Sequence, residues 1–164
     1  MTLTTPEPVR VARVLPVTPE RAFVAFTRGF SAWWPPEYTF AGRADLLSEI
    51  RLGRAAGEVC SEFGPSGFRI DWGRVTVWEP PHRLVFLWQI GPDRAPNPDP
   101  AVASQVAIEI SAQGHGVEVA LTHDAFERHG EHGGRYRDEM ANEAGWPLLI
   151  DRFADYAIGD AIRP

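Results

Sequence analysis

The stretch SQVAIEISAQGHGVEVALTHDAF, residues 104–126, carries two runs of strict alternation on either side of a glycine-flanked turn. Val106, Ile108 and Ile110 alternate with Gln105, Ala107 and Glu109, and Val117, Val119 and Leu121 alternate with Glu118, Ala120 and Thr122. Successive side chains of a strand point to opposite faces, so the pattern predicts an antiparallel hairpin with one apolar and one polar side. His123 falls in phase with Val117, Val119 and Leu121, which turns an imidazole toward the apolar side. A sheet covered on one face only needs a second layer over that face.

The covering layer is legible at the C-terminal end. Trp146, Leu149, Ile150, Phe153 and Ala157 recur at helical spacing and form one apolar face of an amphipathic helix. Pro147 cannot donate to a residue four positions back, so it either begins this helix or kinks a longer one starting near Arg135.

Upstream of the hairpin, VRVARVLPV (9–17) reads as a first strand. TPERAFVAFTRGF (18–30) follows as a helix, with Thr18 as N-cap, Pro19 at the first helical position and Glu20 near the positive helix end. SAWW (31–34) allows one further turn, because Trp34 precedes a proline and is held toward extended geometry. LLSEIRLG, GEVCSEFG, FRIDWGRVTVWE and HRLVFLWQI then read as strands. In the third of these, strict alternation from Trp72 would turn Arg74 inward, so a bulge at Gly73 is expected to return Val75 and Val77 to the core face. In HRLVFLWQI, Leu84, Phe86, Trp88 and Ile90 share one side. The proline-rich 91–103 segment and the glycine-rich ERHGEHGG (127–134) read as surface loops, the latter solvated. The order is strand, helix, about six strands and a long helix: an α+β protein.

Composition narrows the function. With 164 residues, 44% hydrophobic and 23% charged, the chain supports one domain with a substantial core. A formal charge of −6 argues against nucleic acid or an anionic membrane as partner. Cys60 is the sole cysteine, so an internal disulfide and a zinc–cysteine cluster are both excluded. No signal-like leader opens the sequence and no apolar run reaches about 18 residues, so a cytoplasmic protein without a membrane partner is expected.

The chemistry-bearing motifs are mostly absent. There is no nucleophile elbow, no phosphate-binding G-x-x-x-x-G-K and no dinucleotide fingerprint, so no cofactor is expected. His123, Asp124, His129 and His132 crowd into ten residues, but no pair has metalloprotease spacing, and no metal site is expected. His123 reads either as a sheet-end histidine bonded to a backbone carbonyl or as a polar fixture or general base at a cavity mouth. GFSAWWPPEYTF (29–40) concentrates aromatic surface where the prolines forbid a long helix. It is expected to send one of Trp33 and Trp34 into the core and the other to the edge of a site.

Several segments together resemble a known family: TPERAFVAFTRGFSAWWPP, IRLGRAAGE, GRVTVWEPPHRLVFLW, VAIEISAQGHGVEVALTHDAF and GWPLLIDRFADY, in that order. The chain is similar to the activator of heat-shock protein 90 ATPase homologue family, within the START-like (SRPBCC) superfamily, over about residues 9 to 158. The resemblance implies a helix-grip fold: a curved antiparallel sheet of about six to seven strands around a long C-terminal helix, with two short helices after the first strand. It implies a single domain over 9–158, a flexible N-terminus (1–8) and a tail (159–164). It also places a hydrophobic cavity between sheet and helix. Ligand-contacting residues expected there are Trp33, Trp34, Tyr38, Trp72, Phe86, Trp88, Leu121, His123, Trp146 and Ile150. The leading function is binding of a small apolar or amphipathic molecule. Alternatives are a co-chaperone-like module with Trp33, Trp34 and Tyr38 as an exposed patch for a chaperone or other protein, and an enzyme of cyclase or hydrolase type on a hydrophobic substrate. A homodimer stays open.

Overall fold

A computed structural model describes residues 5–43 and 45–162, with side chains through 159. Strand β1 (Val9–Leu15) leads into α1 (Pro19–Thr27), capped as its sequence demands: the Thr18 hydroxyl accepts the Arg21 N–H at 3.1 Å. Helix α2 (Phe30–Trp33) is a single turn that stops where Trp34 turns extended ahead of Pro35. Strands β2 (Glu49–Arg51), β3 (Val59–Phe63), β4 (Arg69–Glu79), β5 (Arg83–Trp88), β6 (Ser104–Gln113) and β7 (Gly116–Asp124) follow. They form one curled antiparallel sheet of seven strands in the order β1-β7-β6-β5-β4-β3-β2.

The hairpin pairs in the register that alternation requires, with Ile110 opposite Val119, Ile108 opposite Leu121 and Val106 opposite His123. All six of these side chains are buried on the concave face. The long strand β4 departs from regular pairing twice. Cys60 faces Gly73 and Ser61 faces Asp71, so the extra residue is Trp72, one position before the expected bulge. Gly73 is still required there, because a Cβ would stand 2.6 Å from the Leu87 carbonyl oxygen. This irregularity returns Val75 to the core, as anticipated. Val77 does not rejoin it. A second extra residue at Thr76 pairs Val77 with Val85 on the convex side and turns Trp78 inward against Phe23, ring centroids 5.0 Å apart.

After β7 the glycine-rich segment is exposed over most of its length, as expected, but it is wound into turns and the start of a helix rather than an irregular loop. Phe126–His132 winds as 3₁₀ turns that follow positive-φ Ala125 and are interrupted at positive-φ Gly130, then runs into α3 (Gly133–Ala141). Phe126 is fully buried and His129 is partly so. Residues 142–145 link α3 to α4 (Trp146–Ile162), so Pro147 belongs to the start of a helix and does not kink a longer one. At the link, a Cβ on Gly145 would collide with the Met140 carbonyl oxygen. Trp146, Leu149, Ile150, Phe153 and Ala157 are all buried in the concave sheet. Helix α4 continues to Ile162, beyond the expected tail boundary. Of the expected loose N-terminus, residues 1–4 lie outside the described residues, while the Glu7 and Pro8 carbonyls accept the Arg137 guanidinium at 3.0 and 3.2 Å.

Candidate functional site

The two adjacent tryptophans part company. Trp33, in the last helical position of α2, is 1% exposed and packs between Phe26 and Phe153 at 5.2 and 5.7 Å. Its indole N–H donates to the Ala25 carbonyl. Trp34, extended before Pro35, swings the other way onto Trp88 and Trp146 at 6.2 and 6.0 Å. Its ring borders an open-mouthed cavity of about 470 Å³ lined by β2–β5, the 37–40 segment, the 90–94 loop, α3 with its link to α4, and the start of α4.

The cavity wall is largely apolar. Trp34, Trp72, Trp88, Phe40, Ile50, Ile90, Met140 and Leu149 line it, with Glu37, Tyr38, Thr39, Glu62, Arg94, Glu139 and Asn142 as polar members. That volume and lining match small-molecule sites in general. Two polar devices hold the rim. Glu62, fully buried, accepts the Phe40 N–H on one carboxylate oxygen and the Ala41 N–H on the other, both at 2.8 Å. The Tyr38 hydroxyl donates to the Ala144 carbonyl at 2.9 Å and ties the 36–38 turn to the α3–α4 link. On the opposite side Arg94, at φ +65°, pairs with Glu139 at 2.8 Å and lies over the Tyr136 ring.

Three indoles reach the cavity wall, and their N–H groups differ. Trp34 donates to the Tyr38 carbonyl at 3.2 Å, and Trp88 to the Tyr136 hydroxyl at 2.7 Å. Tyr136 in turn donates to the Ile90 carbonyl, and burial pushes its own pKa up to about 12. The Trp72 N–H is buried with no acceptor among the described residues. Leaving such a donor unpaired costs about 1–3 kcal/mol.

Four of the expected site residues, Trp34, Tyr38, Trp72 and Trp88, line the cavity. The other six, Trp33, Phe86, Leu121, His123, Trp146 and Ile150, stand behind it in the core. Phe86 and Trp146 support wall residues edge-on: Phe86 against Trp72 at 6.0 Å, Trp146 against Trp88 at 5.7 Å. His123 bonds neither to a backbone carbonyl nor at the cavity mouth. Its Nδ1 accepts the Trp146 indole N–H at 2.9 Å, and because an indole can only donate, the imidazole proton is assigned to Nε2. Nε2–H then donates to the Ser104 hydroxyl at 2.7 Å, and that hydroxyl donates to His129 Nε2 at 2.6 Å. Burial holds His123 well below the ordinary histidine value, aided by the nearby His129, which burial also lowers. With both nitrogens engaged inside the protein, His123 bolts α4 to the sheet.

Glu62 is the principal residue that sequence reasoning missed. Alternation in VCSEF places it on the same side as Cys60, so a carboxylate on an inward strand position was the available signal. Arg94, Glu139 and Met140 come from a loop and from α3, and no local pattern marks them. Among the described residues, no group of three or more His, Cys, Asp or Glu is arranged to hold a metal ion. The exposed aromatic patch expected for protein docking does not form: Trp33 and Trp34 are buried, and Tyr38 alone of the three is exposed, at 42%. Among the described residues, no helix is long and apolar enough to cross a membrane.

The family model for the activator of Hsp90 ATPase homolog 1-like protein matches residues 16–157. The chain belongs to this family. Solved structures share the family's helix-grip architecture. The anthrahydroquino-γ-pyrone synthase Txn09 is similar at 27% identity, TM-score 0.63, over 94% of this chain and 99% of that one. A Rhodobacter sphaeroides protein is similar at 19% identity, TM-score 0.64, over 99% of both chains. A Nitrosomonas europaea protein is similar at 15% identity, TM-score 0.65, over 98% of this chain and 99% of that one. No curated protein matches the chain.

Proposed function

We propose that the protein binds a small hydrophobic or amphipathic molecule, aromatic in character, in the cavity between sheet and α4. The observation that carries this reading is an unfilled space of about 470 Å³ walled by Trp34, Trp72 and Trp88. Three large aromatic rings beside unfilled space forgo contacts that a planar apolar guest supplies. The polar rim suits a ligand with a wet end, and Glu37 and Tyr38 stand exposed there.

A second reading, catalysis on an aromatic substrate of polyketide type, is favoured by the 27% likeness to the γ-pyrone synthase along nearly the whole chain. Under it, the same cavity holds the substrate and the wall residues orient it.

Native mass spectrometry of protein purified from its own host tests the binding reading. A retained aromatic or amphipathic molecule, lost in a Met140→Trp variant that fills the cavity, is expected. Protein that emerges empty, and whose tryptophan emission does not respond to fluorenone or fluorene, overturns it.

A further inference from the structure

We propose that the protein has a second site, separate from the aromatic cavity, that takes a small neutral polyhydroxylated ligand, a sugar or cyclic polyol. The site is an open recess of about 450 Å³ between the turn that follows β5 and the 3₁₀ turns and α3 beyond β7. Among the described residues Ile90 alone lines both it and the aromatic cavity, and nothing in it depends on that cavity being occupied. One wall is fixed by its own backbone. The Gln89 N–H donates to the Trp72 carbonyl, Gly91 to Ala95 and Asn97 to Gln89, at 2.9 to 3.0 Å, so this side is ordered before a ligand arrives.

Two lining side chains supply a fixed acceptor and a fixed donor. Gln89 is only 9% exposed, and its Nε2 donates to the Pro98 carbonyl at 2.9 Å. A carbonyl can only accept, so the amide orientation is settled and Oε1 is left as an acceptor. His129 is oriented by the relay: its Nε2 accepts the Ser104 hydroxyl, which leaves its proton on Nδ1 as a donor. Neither Gln89 Oε1 nor His129 Nδ1 has a partner among the described residues. The buried side-chain atoms left unpaired there belong to Arg54 and Trp72, so both of these groups reach accessible surface. At the rim the Asn97 Oδ1 accepts the Asp99 N–H at 3.1 Å, and its NH2 group has no partner among the described residues. A hydroxyl answers such a mixed wall, since one oxygen both donates and accepts. The opposite formal charges of Asp93 and Arg135 offset each other, and burial keeps His129 neutral, which favours a ligand without charge. Pro92, Pro96 and Val102 offer the C–H face of a ring an apolar bed.

The experiment titrates the full nitrogen-labelled chain with D-glucose, D-galactose and myo-inositol while imidazole, side-chain amide and indole signals are followed by NMR. At least one probe is expected to shift the His129 Nδ1 and Gln89 amide signals saturably, with a dissociation constant on the order of millimolar for a ligand this small. The indole signals of Trp34 and Trp88 should stay in place. Asn97→Ala, at an exposed position that tolerates truncation, is expected to weaken binding roughly three- to tenfold, the worth of one neutral hydrogen bond, and Gln89→Met to do the same. No saturable shift with any of the probes, or an affinity that Asn97→Ala and Gln89→Met both leave unchanged, overturns the site. Shifts of the same signals by sodium acetate or phosphate and not by the probes overturn the ligand class. Shifts confined to Trp34 and Trp88 place the sugar in the aromatic cavity and overturn the second site while leaving the first.

Discussion

The two ends of the groove between sheet and α4 are filled by opposite means. At one end Phe26, Phe30, Trp33 and Phe153 touch each other ring to ring at 4.8 to 6.1 Å and close the interior. At the other, Trp34, Trp72 and Trp88 lean on the core from one side and border open space on the other. The cause is local. Pro35 and Pro36 redirect the chain after Trp34, and the following segment is held by Glu62 and Tyr38 through hydrogen bonds, with Phe40 packing only partly buried against the core. One end is rigid because it is packed, and the other keeps its shape because its backbone is clasped. Close packing and open space are thereby divided between neighbouring residues.

Truncating the adjacent tryptophans is the strongest attempt to break that contrast. Trp33→Ala is expected to cost about 3–5 kcal/mol in urea denaturation, since it empties a closed site and orphans the Ala25 carbonyl. Trp34→Ala, which enlarges an existing void, is expected to cost about 1–3 kcal/mol and to weaken ligand binding more than Trp33→Ala does. Equal costs would erase the distinction between the two ends.

The His123 relay sharpens the contrast from the buried side. His123→Ala is expected to cost about 2–4 kcal/mol, because Trp146 and Ser104 each lose a partner in the interior. Wild-type stability should also depend on pH in a defined direction. Burial lowers His123 and His129 below their unfolded value of 6.5, so on acidification the unfolded chain takes up protons that the folded one refuses. This contribution is complete above that value and is lost progressively as pH falls beneath it. Thermal melting at a series of pH values should show the decline, and His123→Ala should show a shallower one.

The smallest effect belongs to the clasp. Tyr38→Phe removes one hydrogen bond to Ala144 at a solvated rim, so stability should change by less than about 1 kcal/mol. Release of a bound probe in stopped-flow should nevertheless quicken by a fewfold. An unchanged rate would mean that ligand leaves by another path.

The alternating runs of β6 and β7 and the spacing along α4 were legible because burial on one face imposes a period that survives in one dimension. The Trp33–Trp34 divergence was half legible: the proline after Trp34 dictates that the two differ, and only packing decides which goes inward. The cavity wall was less visible. Four of its members were expected from their aromatic character, but a void is defined by what fails to fill it, and Met140 reaches it from α3 while Ile90 and Arg94 reach it from the segment after β5. The His123 relay was hidden for a similar reason. Ser104, His123 and Trp146 are set by sheet register and helix placement, whereas the sequence separates them by about twenty residues at each step. Val77 was misread because the bulge at Thr76 has no glycine to announce it.

The linked tryptophans have an optical consequence. Trp33 touches Trp34, Trp34 touches Trp88 and Trp146, and Trp88 touches Trp72, all within 6.2 Å between ring centroids. Five of the chain's six indoles thus form a single chromophore array, with three of them at the cavity wall. Excitation absorbed anywhere in that array migrates among its rings before it is emitted. A guest that touched one wall indole would therefore dim or shift the light of all five, so emission would report on the whole array at once.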